Sequence, residues 1–148
     1  MTNKKIRLAS LTVMLVLGAM GSAWAQQVRL SARQNKIVNG IEAELRGDYR
    51  ASGSPQRLNS ELDNINVPVG TPIAFCLVQN GVKTLLGVGQ VTLVGGVPTS
   101  TIELNVNDGD TVPTVSAGDV LQARQKKKAP FKTQPTCATG LMVAAAFR

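Results

Sequence analysis

IEAELRGDYRA, residues Ile41 to Ala51, is the stretch on which the fold is decided. Ile41, Ala43, Leu45, Gly47, Tyr49 and Ala51 fall on one side of an extended chain, and Glu42, Glu44, Arg46, Asp48 and Arg50 fall on the other. A period of two marks a half-buried strand, because successive side chains leave a strand on opposite faces. A helical reading also lines up Ile41, Leu45 and Tyr49, but it places Gly47 in mid-helix and scatters the charges. The stretch is read as a strand.

Toward the C-terminus the same physics repeats. Ile73, Phe75 and Leu77 alternate with Ala74, Cys76 and Val78, so both faces are apolar, as in a central strand. Asn80-Gly81 follows, a dipeptide that readily takes the positive φ angles of a two-residue hairpin turn. The return strand is expected from Val82 to Val94, with Gly87 and Gly89 marking a bulge or bend. After Gly95-Gly96, Ile102, Leu104 and Val106 are expected inward, and Thr101, Glu103 and Asn105 outward. Asn107 to Gly118 reads as a loop and Asp119 to Arg124 as a short strand. Leu141, Val143, Ala145 and Phe147 form one face of a closing strand. Between the first strand and this region, Ser52-Gly53-Ser54-Pro55 is a turn. Arg57 to Val67 stays open: Leu58, Leu62 and Ile65 share a helical face, while Leu58, Ser60 and Leu62 also alternate.

Upstream, Gln26 to Asn39 is polar; Val28, Leu30 and Ala32 fit a short first strand or a lead-in. Residues 1–25 read as a secretory signal peptide. Lys4, Lys5 and Arg7 are followed by the apolar run Leu11–Gly18 and then by Ala23-Trp24-Ala25, an A-x-A cleavage pattern. An uncleaved anchor is the alternative, although the run is short for a span. No cysteine stands directly after the cleavage pattern, where Gln26 and Gln27 are found, and no twin arginine precedes it. Cleavage would leave 123 residues in which 13 basic side chains face 9 acidic ones, a net charge of +4, and would remove the sole tryptophan. The expected destination is the periplasm or the extracellular space. In an oxidising compartment Cys76 and Cys137 are expected to pair.

The expectation is therefore one all-β domain over residues 40–148, an antiparallel β-sandwich of about seven strands, immunoglobulin-like. A membrane barrel would need aromatic girdles, and the chain has 3 Phe, 1 Tyr and 1 Trp. The absence of histidine excludes Ser-His-Asp and Cys-His catalysis and imidazole metal sites. No cofactor is expected.

The stretch from Ile41 to Arg124 resembles small exported β-sandwich domains of uncharacterised bacterial proteins. The similar pieces are Ala43-Glu44-Leu45 with Tyr49-Arg50-Ala51, Gly70-Thr71, Asn80-Gly81, and above all IELNVNDGDTVPTVSAGDV from Ile102 to Val120. The resemblance implies a strand at Arg57 to Ile65 and brings no activity. It ends where a tight final hairpin gives way to a long basic loop, 125–139, containing Cys137. Fimbrial subunits share export, a disulfide and an aromatic in the place of Phe147, but their cysteines lie earlier and closer together.

Three groups of residues are candidates for function. Arg124, Lys126, Lys127, Lys128 and Lys132 lie within nine residues, with no acid after Asp119. Such a cluster attracts phosphate-bearing or acidic polymers by counterion release. The partners available outside the cytoplasm are acidic glycans, lipopolysaccharide, lipid headgroups and extracellular DNA. With Phe131 the only aromatic nearby, a base-stacking platform is weak; a solvated hairpin tip is the plainer reading. Asn107, Asp108 and Asp110, with Asn105 and Asp119, offer oxygen ligands for calcium. They lack EF-hand spacing and equally suit a turn. Glu42, Glu44 and Asp48 are the carboxylates a small hydrolase would use. That is the alternative to the main expectation, an exported non-enzymatic protein with a binding or structural role.

Overall fold

The computed structural model describes residues 27–51, 55–126 and 134–148. The expected signal peptide, residues 52–54 of the turn expected over Ser52–Pro55, and Lys127, Lys128, Phe131 and Lys132 lie outside these. Among the described residues no helix is long and apolar enough to cross a membrane. The described residues form nine strands instead of about seven: β1 (Val28–Val38), β2 (Ile41–Ala51), β3 (Arg57–Asp63), β4 (Pro72–Gln79), β5 (Val82–Gln90), β6 (Thr92–Val94), β7 (Val97–Asn105), β8 (Val120–Gln125) and β9 (Gly140–Ala146). They form two antiparallel sheets, in the orders β1-β2-β3-β7-β6 and β5-β4-β8-β9. With β1 set aside, this is the strand order of an immunoglobulin-like sandwich, A-B-E-D against C′-C-F-G.

The alternation read in β2 holds: Ala43, Leu45, Gly47 and Tyr49 are buried. Leu58 and Leu62 of β3 join them, so Arg57–Asp63 is a strand. Facing them from the second sheet are Ile73, Phe75 and Leu77, with Leu121, Val143 and Phe147. Gly47 is required by this contact. A Cβ there would lie 2.7 Å from Leu121 Cδ2 and 3.0 Å from Phe147 Cζ.

Four expectations are corrected. Of the two readings of Gln26 to Asn39 the strand holds, but it is not short: β1 has eleven residues and is paired along its whole length with β2 through an Asn39-Gly40 turn with φ values of 50° and 82°. The strand expected from Val82 to Val94 divides at Val91. Its first part pairs in the second sheet with a bulge opposite Phe75 and Cys76, and its last part crosses to the first sheet. The crossing occurs where Gly89 lets the sheets approach: a Cβ there would lie 2.5 Å from the Thr101 carbonyl oxygen. Val106 is exposed, because β7 ends in a 3-10 turn over Val106–Asp108. Leu141 is exposed because the β8–β9 register shifts at Ala123/Arg124, turning Met142 inward in its place.

Candidate functional site

The basic segment is anchored at both ends. Cys76 and Cys137 are disulfide-bonded across 61 residues, with Cα atoms 5.9 Å apart. Cys76 and Ala74 point away from the sandwich core on β4, yet both are fully buried. The segment carrying Cys137 and the buried Pro135 lies over that outer face. This is why β4 reads apolar on both sides. Arg124 stands opposite Ala74 in the register and forms the foot of the segment. Its Nη1 donates to the Thr139 carbonyl at 2.6 Å, while Nε and Nη2 donate to Gln122 Oε1 at 2.9 and 2.7 Å. A turn at Thr136–Thr139 closes the return path, the Thr139 amide and hydroxyl both donating to the Thr136 carbonyl.

Arg124 was expected among the anion-binding cations. It is 7% exposed with its guanidinium occupied by protein acceptors, so it fastens the segment and does not present charge to solvent. Lys126 follows directly on β8 and has an interaction of its own.

The acidic run lies at the opposite end of the sandwich, where β7 ends and β8 begins. Asp110 Oδ2 accepts the Asn105 amide, and Asn105 Oδ1 accepts the Asn107 amide. Asp119 Oδ2 accepts the Ser116 amide and the Gln79 side chain. These oxygens satisfy turn donors, which is the turn chemistry expected of Asn and Asp. Asp108 lies in the 3-10 turn and is exposed. Among the described residues no three Asp, Glu or Cys side chains are grouped as a metal site.

The carboxylates of β2 belong to a wider charged face on the first sheet. Glu44 pairs with Arg33 and Arg46; Arg46 also reaches Glu61 and Asp63 on β3. Glu42 accepts from Asn35. Burial works against the Arg46 cation, but Asp63, Glu61 and Glu44 outweigh it and hold its pKa above the ordinary guanidinium value. Burial raises the pKa of Glu61, a hydrogen bond and charge from Asp63 add to this, and Arg46 only partly opposes them. Glu61 was not among the residues singled out by sequence. Its register partner Arg46 was the available signal, since cross-strand neighbours of opposite charge sit side by side. Arginines thus engage Glu44, Glu61 and Asp63 on an open sheet face, which neutralises charge and holds β1, β2 and β3 in register.

Comparisons with protein-family models, with curated proteins and with solved structures return no match to this chain.

Proposed function

We propose that the chain is an exported, non-enzymatic β-sandwich protein that binds anionic polymers outside the cytoplasm through the basic segment at 125–139. The observation that supports this reading is the double anchorage of the segment, by Cys76–Cys137 and by Arg124 to Thr139. Both ends of a sequence holding Lys127, Lys128 and Lys132 are fixed before any ligand arrives, which lowers the entropy lost on binding. The acids nearest in sequence, Asp108, Asp110 and Asp119, stand at the opposite end of the sandwich from Gln125 and Gly140, between which these lysines lie in the chain. The disulfide fits an oxidising compartment.

The test is to fractionate the host cell, sequence the N-terminus of the recovered protein, and identify what co-purifies with it. A chain starting at Gln26, outside the cytoplasm and carrying an acidic glycan, lipopolysaccharide or DNA, supports the reading. A cytoplasmic chain starting at Met1 overturns it.

A further inference from the structure

Three arginines stand in a row across one end of the first sheet. The registers set Arg29 opposite Arg50, and Arg50 opposite Arg57. All three point outward, because Leu30, Tyr49 and Leu58, one residue further along or back, are turned toward the core. At strand spacing the row spans about 10 Å. Like charges directly opposite one another destabilise a sheet.

The same face holds a second pair of opposed arginines and supplies it with acids. Arg33 stands opposite Arg46, Glu44 pairs with both, and Glu61 and Asp63 also reach Arg46. In the row, only Arg57 has such partners: its Nε lies 3.2 Å from Glu103 and donates to Asn59 Oδ1 at 3.3 Å. Arg29 and Arg50 are exposed and make no ion pair or side-chain hydrogen bond among the described residues. Asp48, in the adjoining row between Ser31 and Asn59, forms no ion pair with either. On β7 the row continues into Asn105, which is uncharged, and Asp110 Oδ2 is held by the Asn105 amide.

We propose that Arg29 and Arg50, flanked by Arg57, bind a phosphate group, free or carried on a sugar. A guanidinium presents two parallel N–H donors that match two phosphate oxygens, and an anion between two guanidiniums removes their repulsion. The adjoining row, Ser31, Asp48, Asn59 and Glu103, is polar throughout, which suits the hydroxyls of a sugar and gives a hydrocarbon tail nothing to bury against. Asn105 places the row at the end of the sandwich where β7 stops, away from Gln125 and Gly140. The site is therefore separate from the basic segment and stands or falls independently of the role proposed for it.

The test is a nuclear magnetic resonance titration of the isotope-labelled protein with inorganic phosphate and with glucose phosphate, against sodium chloride at matched ionic strength. Wild type is expected to show saturable shifts at the backbone and side-chain N–H groups of Arg29, Arg50 and Arg57 with phosphate and not with chloride. Arg50→Gln should weaken binding on the order of tenfold, since it removes a charged donor from the centre of the row. In chloride the same variant should be at least as stable as wild type, because it also removes the like-charge contact. Arg33→Gln, and the combined change of Lys127, Lys128 and Lys132 to Ser, should bind phosphate as wild type does. Tighter binding of glucose phosphate assigns a sugar as the carrier; equal binding assigns the phosphate group alone. Shifts no larger than those in chloride, or an Arg50→Gln variant that binds like wild type, would overturn the proposal. Loss of phosphate binding in the lysine variant would overturn the separateness of the site.

Discussion

Arg124 Nη1 donates to the carbonyl of Thr139 across fifteen residues of chain, at 2.6 Å, and so ties the start of the basic segment to its end. The guanidinium is buried and its remaining bonds go to Gln122. Replacing it by Met fills the space but leaves the Thr139 carbonyl without this donor. The expected cost is about 1.5–3 kcal/mol, the range for hydrogen bonds to charged groups. Urea unfolding of Arg124→Met measures it; an unchanged midpoint would show the bond to be dispensable.

The disulfide constrains a loop of 61 residues. On chain entropy its loss should cost about 4 kcal/mol, with measured values often lower. The double variant Cys76→Ala with Cys137→Ala should melt well below wild type. Intact mass after alkylation of the native protein should show both thiols masked, and two alkylated thiols would contradict the pairing.

Close approach of the sheets is tested by two glycines. A Cβ at Gly47 meets side-chain atoms of Leu121 and Phe147, which can shift; one at Gly89 meets the backbone oxygen of Thr101, which cannot shift without moving β7. Gly47→Ala is expected to cost about 1–3 kcal/mol and Gly89→Ala to cost more. Thermal melts of the two variants would reverse this order if the sheets were not held at β7.

Glu61 supplies a pH signature. Its pKa is raised, chiefly by burial, so the folded state takes up a proton more readily than the unfolded chain. The stability this gives is fully present below the unfolded pKa and is lost as pH rises through the folded one. Glu61→Gln should therefore gain on wild type as pH rises from the acidic range and stay ahead above it. Paired denaturation curves across that window give the difference. A gap that shrinks with rising pH would mean that the Arg46 pairing dominates instead.

These relationships were unevenly legible in the sequence. The period of two in β2 and the Asn80-Gly81 turn, with φ values of 49° and 81°, are local and were readable directly. Asn39-Gly40 carries the same signal, yet β1 did not read clearly because Gln34 and Lys36 occupy core-side positions that no second sheet covers. Leu141 and Val106 failed for the opposite reason. A register shift and a 3-10 turn change the phase of an apolar pattern that continues unbroken in the residues. Of the basic cluster, position in the chain was legible. The inward turn of Arg124 was not, since it depends on a carbonyl fifteen residues away. The row of Arg29, Arg50 and Arg57 was missed altogether, because only the strand registers set the three side by side.

The account stands most directly on the salt dependence of polyanion binding. Affinity for heparin and for lipopolysaccharide should be measured across a salt series for wild type and for Lys127→Ser, Lys128→Ser and Lys132→Ser combined. Wild-type affinity should fall steeply as salt rises, and each lysine lost should reduce the slope by about one. The triple variant should lose most of the binding while its stability stays within about 0.5 kcal/mol of wild type, the range for substitutions that touch no core contact. Full affinity in the triple variant, or no affinity in wild type at low salt, would contradict the claim that this segment is the binding element.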